Sequence, residues 1–332
     1  MAHLSRRRAP VVGACALVLL LVAMAGCGGS GGGSSGGGQS VSQTTRFPAA
    51  AGKTLAQLGK GLGPGPVLAQ AVSILTPGGK DRFSFGLFDR ARKQISSGDA
   101  AVYVAPAGGG EATGPYYASN QSLAVKPPFQ SQTVKNDPDA ARSIYVSHIP
   151  FKAAGSYEMM GVVKLDGRLV ATDPVSVPVT DKAKDPVPEV GDKAPKIVTP
   201  TVASVGGDVK KIDTRVPPGT MHDVNFADAL GKRPILLVFA TPALCQSRVC
   251  GPVVDIAEQV KSTYKGDAAF IHMEIYNDNV LEKGFRPQVA AYGLPSEPWV
   301  FAISRDGRVA ARLEGAFSEQ ELRTALQAAE AK

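Results

Sequence analysis

The sequence has only a small excess of positive charge with which to bind a polyanionic partner. Its 36 lysines and arginines against 29 aspartates and glutamates give a net charge of +7. Arg6, Arg7 and Arg8 supply three of these charges and lie in a terminal segment that we expect to be removed, which leaves +4. A charge this small and scattered is not the clustered basic surface of a nucleic-acid-binding protein. We therefore expect no nucleic acid among the partners.

Cysteine and histidine are also scarce, with four of each in 332 residues. No cysteine lies between residues 47 and 181, and His148 is the one histidine there, interpreted as structural. His222 and His272 lack the spacing of a metal motif, and we interpret each as structural. The sequence thus predicts no metal ion and no cofactor. Apolar residues at 44% and charged residues at 20% exclude global disorder, and the length suits two domains of ~150 residues.

The N-terminus has the pattern of an export signal. A basic start is followed by an apolar run from Ala9 to Ala25, which is marginal for a spanning helix of ~20 residues. Met24-Ala25-Gly26-Cys27 resembles a bacterial lipobox, although that family usually has leucine where Met24 stands. The resemblance implies cleavage before Cys27 and attachment of lipid to it. The alternative is an uncleaved anchor.

A glycine- and serine-rich stretch from Gly28 to Gly38 follows Cys27. Such a composition buries no apolar surface and behaves as a flexible coil. We assign residues 1–26 to a lipoprotein signal peptide and 27–46 to a tether. The rest of the chain is then expected outside the cytoplasm, lipid-anchored to the bacterial cell membrane, where disulfides persist.

Residues 47–181 are predicted to form an all-β domain, because short apolar runs alternate with turn signals. Asp166-Gly167 between two such runs indicates a hairpin. Ala154-Gly155-Ser156-Tyr157, followed by this hairpin, resembles the tyrosine corner of immunoglobulin-like sandwiches. A β-domain of another topology is the alternative, and the expected role is that of a spacer or docking module. The predicted strands are Ala71–Leu75, Arg82–Asp89, Ala100–Ala105, Ile144–Ile149, Ser156–Leu165 and Leu169–Val179.

Residues 182–196 are predicted to be a proline-rich, semi-stiff linker, and residues 190–332 an α/β domain. The run Ile235–Ala240 is apolar on both faces, as in a central strand covered by helices. Asp306-Gly307 indicates a hairpin, and Ser318 with Glu321 forms a capping box that opens a last helix. Strand, cysteines, helix, strand, hairpin and helix follow one another in the order of thioredoxin-like domains, which residues 190–332 therefore resemble.

Cys245 and Cys250 are separated by four residues, whereas thioredoxins carry Cys-x-x-Cys. On a regular helix that spacing would place the Cα atoms ~8.6 Å apart, beyond the ~7 Å limit for a disulfide. We therefore expect Cys245 in the loop before a helix that starts near Gly251, since Pro252 suits a first turn. A bond that closes so short a loop stabilises by only ~2 kcal/mol, which favours a redox role over a structural one.

Glu297-Pro298 stands where the resemblance implies a cis-proline beside the cysteines, and we assign both residues to substrate binding. Two features depart from the thioredoxin pattern. The strand Ile235–Phe239 lacks the usual acidic residue, and Leu244 replaces the aromatic residue before the first cysteine.

The favoured function is a membrane-tethered thiol–disulfide oxidoreductase, in which Cys245 is the nucleophile and Cys250 the resolving cysteine. Its partners would be protein thiols or disulfides outside the cytoplasm and an unidentified redox partner. One alternative is a peroxidase resembling Q-type peroxiredoxins, which share the Cys-x4-Cys spacing and a nearby Thr-Pro, here Thr241-Pro242. The other is a non-catalytic binding protein of thioredoxin-like fold with a structural disulfide.

Overall fold

The computed structural model describes residues 45–331. The predicted signal peptide, the lipidation site Cys27 and nearly all of the predicted tether lie outside the described residues. The part of the chain that is described belongs to one compact unit, and it is predominantly β.

The first half builds a curled nine-stranded sheet in the order β1-β8-β7-β4-β5-β6-β3-β2, with β9 also pairing with β7. The long strand β7 holds two neighbours along one edge, β9 on its first half and β8 on its second. The aromatic core residues Phe83, Phe85 and Tyr145 lie inside the curl. The strands are β1 Gly63–Pro64, β2 Val67–Gln70, β3 Asp81–Phe88, β4 Ala100–Pro106, β5 Thr113–Ser122, β6 Ser143–Ile149, β7 Gly155–Leu165, β8 Arg168–Ala171 and β9 Val175–Val179.

Two local sequence signals of this half are confirmed. Asp166-Gly167 joins β7 to β8, and both residues have the positive φ that such a two-residue turn needs. The hydroxyl of Tyr157 donates a hydrogen bond to the carbonyl of Ala153 at 2.9 Å.

The strand predicted over Ala71–Leu75 is wrong, because the chain leaves β3 after Ala71. The Ala71 N–H still bonds the Ser84 carbonyl. The N–H groups of Ser73 and Ile74 instead donate to the carboxylate of Glu314 in the second half of the chain. A side chain distant in sequence thus replaces the sheet as the hydrogen-bond acceptor.

The second half is a four-stranded sheet with helices on both faces. Its order is β11-β10-β12-β13, with β11 parallel and β12 antiparallel to β10. The predicted central strand is confirmed, since all five residues of β10 are buried. The predicted hairpin at Asp306-Gly307 and the capping box of the last helix are present. The strands are β10 Ile235–Phe239, β11 Ala269–Met273, β12 Trp299–Ile303 and β13 Val309–Glu314.

The helices of the described chain are short except for two. Alternate residues of β10 face opposite layers: Leu236 and Val238 pack against α4 and α6, whereas Leu237 and Phe239 pack against α3 and α5. The helices are α1 Leu55–Gly59, α2 Gln132–Lys135, α3 Phe226–Ala229, α4 Cys250–Thr263, α5 Pro287–Ala291 and α6 Glu319–Glu330.

The predicted linker, residues 182–196, packs against the edge of the second sheet. Val187 is buried in its core, and Gly191 and Asp192 exchange backbone hydrogen bonds with Val309. Arg312 binds the carboxylate of Asp185 at 2.8 Å. This stretch is thus held in place along its length, and the boundaries of the two predicted domains stay predictions.

The connection between β5 and β6, residues 123–142, lies along α4 of the second half; we call it the crossing segment. The Lys126 N–H donates to Gln259 at 2.7 Å, and the Ser131 N–H donates to Asp255 at 2.9 Å. Asp255 is buried and also binds Arg215 at 2.8 Å. The first half of the chain is therefore fixed against the helix that begins at Cys250.

Candidate functional site

A disulfide joins Cys245 and Cys250, with their Cα atoms 6.0 Å apart. This separation lies within the usual range for disulfides. The expectation that Cys245 precedes the helix is confirmed, because it lies in the loop after β10 and Cys250 is the first residue of α4. No side chain caps this end of α4, so the positive end of the helix dipole lies at Cys250.

Cys245 is the more accessible of the two sulfur-bearing residues. It is 8% exposed and Cys250 is fully buried. A cleft of about 580 Å³ opens beside Cys245. The Cys245 loop, including Gln246 and Arg248, forms one wall, and residues Thr133 to Ala140 of the crossing segment contribute the other.

Arg248 connects the two walls of this cleft through an ion pair and a backbone hydrogen bond. Its guanidinium lies 2.7 Å from the carboxylate of Asp137, which raises the pKa of Arg248. Its carbonyl accepts a hydrogen bond from the Ala141 N–H at 3.1 Å. Arg248 adopts a left-handed backbone conformation with a φ of 60°, which is uncommon for a residue other than glycine.

Glu297 places a carboxyl group against the buried cysteine. Its Oε2 lies 3.5 Å from Sγ of Cys250 and accepts a hydrogen bond from the Thr241 N–H at 2.9 Å. The pKa of Glu297 is raised to about 8, chiefly by burial and in smaller part by the nearby carboxyl of Glu274, against the lowering effect of the Thr241 N–H. An acidic side chain from the loop before β12 thus lies beside Cys250, although β10 itself carries none. The sequence predicted substrate binding alone for Glu297.

The peptide bond between Glu297 and Pro298 is cis. A second cleft, of about 420 Å³, is lined in part by Glu297 and does not include Cys245. Ser247, Val249 and Ser296 line it together with the end of β2. Among the described residues, no backbone–backbone hydrogen bond uses the N–H or carbonyl of Glu297. The disulfide and Glu297 thus border two clefts, next to backbone groups that are free to pair with an extended segment.

A separate cluster of titratable groups is buried beneath the loop after residue 212. His222 Nε2 lies 3.0 Å from Asp213 Oδ2, and His272 Nδ1 lies 3.8 Å from Asp213 Oδ1. Burial opposes a charge on His272, but the Asp213 carboxylate raises the pKa of His272 to about 9. The histidines lower the pKa of Asp213 despite its burial. Sequence reasoning missed this cluster because its members follow no motif spacing.

The comparisons with known proteins assign no family. No family model matches the chain, and no curated protein matches it. Among solved structures, the filamin domain of Lin-41 matches with 15% sequence identity and a TM-score of 0.19. That match covers 35% of this chain and 97% of the filamin chain. A TM-score this low bears on neither fold nor function.

Proposed function

We propose that this chain is a membrane-tethered, extracytoplasmic thiol–disulfide oxidoreductase. The observation that carries the proposal is the carboxyl of Glu297, with a pKa of about 8, at 3.5 Å from the sulfur of Cys250. A purely structural disulfide has no need of an acid whose pKa is close to that of a thiol, ordinarily ~8.5. A cysteine that is released and captured in each cycle has that need.

The arrangement of the second half supports a thioredoxin-like fold. The cysteines follow the central strand β10, α4 follows them, and a cis-proline precedes β12. For the first half we propose an immunoglobulin-like sandwich. It is supported by the hydrogen bond from the Tyr157 hydroxyl to the Ala153 carbonyl and by the hairpin that follows at Asp166-Gly167.

The proposed reaction starts with the thiolate of Cys245, the cysteine that reaches the cleft. It attacks a substrate disulfide, forms a mixed disulfide and expels one substrate thiolate. In molecules whose Glu297 is ionised, Cys250 then gives its proton to the Glu297 carboxylate and attacks the sulfur of Cys245. The second substrate thiolate leaves, and the protein is left with its Cys245–Cys250 disulfide. A partner dithiol reverses these steps, and the electrons return to the protein.

Two features of the structure support this division of roles. Cys250 is fully buried, so its reaction partner must come from within the protein, and Cys245 is that partner. The Cys250 thiolate is also favoured by the free N-terminus of α4. When an outside thiolate attacks the sulfur of Cys245, protonated Glu297 donates its proton to the departing Cys250 thiolate.

The first half of the chain contributes directly to substrate access. Because the crossing segment forms a wall of the cleft beside Cys245, a substrate must enter between this wall and the cysteine loop. A narrow entrance of this kind favours a thiol or disulfide on an extended protein segment. Backbone pairing at Glu297 is the contact that would hold such a segment.

Membrane attachment rests on the resemblance of Met24–Cys27 to a lipobox. Within residues 45–331, no helix is long and apolar enough to cross a membrane. We propose that lipid on Cys27 holds the protein at the membrane surface and that residues 28–46 act as the tether.

Trapping of a mixed disulfide tests the proposal. The reduced Cys250→Ser variant, treated with glutathione disulfide, is expected to keep one glutathione on Cys245, because no thiol remains to resolve it. Cys245→Ser is the matched control and is expected to react far more slowly, since Cys250 is buried. Adduct formation is read by mass spectrometry of the intact protein. Equal and slow reaction of both variants would support the structural-disulfide alternative. Trapping in Cys245→Ser alone would show that Cys250 is the nucleophile and Cys245 the resolving cysteine.

A further inference from the structure

Asp213, His222 and His272 bring three metal-ligand atoms together in the interior. The candidate atoms lie within 4.8 Å of one another, and all three residues are buried. None of them contacts the disulfide group Cys245, Cys250 and Glu297 closely enough to join it. The cluster is therefore a separate feature that the oxidoreductase proposal leaves unexplained.

The hydrogen bonds of His272 fix which of its ring nitrogens is free. Nε2 lies 2.9 Å from the Ala240 carbonyl oxygen, which can only accept, so Nε2 carries a proton. Nδ1 has no hydrogen-bond partner although it is buried. It faces Asp213 Oδ1 at 3.8 Å, too far for a hydrogen bond. A lone pair on Nδ1 would face a carboxylate, and a proton on Nδ1 would lie too far from that carboxylate for a hydrogen bond.

A cation between these atoms would resolve both conflicts. Two ligands that bind one metal ion at 2.0–2.2 Å lie roughly 3.0–3.6 Å apart. Asp213 Oδ2 lies 3.0 Å from His222 Nε2 and Asp213 Oδ1 lies 3.8 Å from His272 Nδ1, and the three candidate ligand atoms lie within 4.8 Å of one another. Side-chain shifts on the order of 1 Å would bring one carboxylate oxygen and the two nitrogens into this range. A histidine that binds metal through one nitrogen commonly donates the other N–H to a backbone carbonyl, as His272 does to Ala240.

We propose that the Asp213 carboxylate, His222 Nε2 and His272 Nδ1 form a binding site for a divalent transition-metal ion, with Zn²⁺ as the best-fitting class. Two imidazoles and one carboxylate are ligands that Zn²⁺ accepts, and they leave a fourth position for a water molecule. The Asp213 carboxylate is already oriented by N–H groups, from Arg215 at 2.8 Å and Gly219 at 2.6 Å.

The position of the site implies a consequence for the redox helix. The segment that carries Asp213 and His222 also binds α4, through Arg215 to Asp255 and through Thr220 to Glu258. His272 belongs to β11. A bound ion would therefore link the 213–222 segment to the sheet and so brace the helix that begins at Cys250.

Metal counting tests the site in the full chain with all four cysteines, Cys15, Cys27, Cys245 and Cys250, replaced by serine, which removes every thiol as a competing ligand. The protein is first treated with a chelator, then dialysed against ZnCl₂ and finally against metal-free buffer. Elemental mass spectrometry is then expected to find one Zn²⁺ per chain. His272→Gln in this background is expected to weaken Zn²⁺ binding by at least about tenfold. His148→Gln is the matched control, because His148 is exposed on β6, and it should bind as the parent does.

A second readout needs only the parent protein. Zn²⁺ that binds the folded state raises Tm above the value measured with chelator, so the site stays testable even if His272→Gln fails to fold. Absence of stoichiometric Zn²⁺ together with an unchanged Tm would overturn the proposal. Undiminished binding in folded His272→Gln would also overturn it, since the ion would then lie elsewhere.

Discussion

The Glu297 carboxylate and the Cys250 sulfur lie 3.5 Å apart, although 47 positions separate the two residues in the sequence. The cis peptide loop before β12 brings the acid to the first residue of α4. In the proposed reaction, Cys250 is therefore the cysteine that exchanges its proton with Glu297. Cys245, at the edge of a cleft, is the cysteine that would react with the substrate.

Replacement of Glu297 by glutamine should slow reduction of the disulfide by dithiothreitol. Below pH 8 the wild-type Glu297 is protonated and can donate to the departing Cys250 thiolate, whereas glutamine cannot. We expect the rate at pH 7 to fall by about 10- to 100-fold. The measured rate is divided by the thiolate fraction of dithiothreitol at each pH. The corrected wild-type rate should then decline as the pH rises through 8, whereas the corrected Glu297→Gln rate should stay constant. Exposed Glu282→Gln is the control, and superimposable profiles of wild type and Glu297→Gln would contradict this role.

The same substitution should change how stability depends on pH in the oxidised protein. Burial raises the pKa of Glu297 from 4.5 to about 8, so the folded state holds a proton that the unfolded chain releases. Wild-type stability should therefore fall as the pH rises from about 4.5 to 8, and glutamine removes this loss. We expect Glu297→Gln to gain roughly 4 to 5 kcal/mol over wild type between pH 4 and pH 9. Urea unfolding at both pH values measures it, and an equal difference at each pH would refute the shifted pKa.

Loss of the ion pair between Arg248 and Asp137 should open the cleft at Cys245. Arg248→Asn removes the guanidinium but keeps a residue that tolerates a φ of 60°. Because exposed ion pairs are weak, we expect the reduced protein to be alkylated at Cys245 by a bulky maleimide only about two- to fivefold faster. Asp139→Asn, which alters an exposed neighbour of Asp137, is the control. An unchanged alkylation rate in Arg248→Asn would show that the pair does not limit access.

Cys27→Ala should release the protein from the membrane or block its maturation, since it removes the proposed lipid attachment site. Fractionation of cells into membrane and soluble material measures the change. Mass spectrometry of the wild-type N-terminus provides the complementary test: a lipid-modified Cys27 is expected, and an intact Met1 on the mature protein would contradict the lipoprotein prediction.

The parts of the fold that could be predicted are those encoded by neighbouring residues. The apolar run of β10, the turn at Asp306-Gly307 and the capping box of α6 each depend on a few consecutive positions. The position of Cys245 outside the helix followed from chain geometry alone. These signals are local, so they do not require knowledge of the tertiary contacts.

The parts that could not be predicted depend on contacts between distant segments. The resemblance placed Glu297-Pro298 beside the cysteines, but the contact of the Glu297 carboxyl with the Cys250 sulfur was not predicted. The approach of Asp213 to His272 also depends on how a loop folds onto the sheet. Ala71–Leu75 has the composition of a strand, but the N–H groups of Ser73 and Ile74 donate hydrogen bonds to the Glu314 carboxylate instead of to a neighbouring strand. Nor does the sequence of the crossing segment reveal that it forms a wall of the cleft at Cys245.

Equilibration of the folded protein against defined mixtures of reduced and oxidised glutathione and dithiothreitol tests the central claim most directly. The fraction of the Cys245–Cys250 disulfide that remains is read by alkylation and mass spectrometry. We predict reversible reduction with a potential in the range of catalytic pairs, roughly −120 to −270 mV. A bond that stays oxidised in millimolar dithiothreitol while the protein is folded, with a potential below about −300 mV, would contradict the redox function and identify the disulfide as structural.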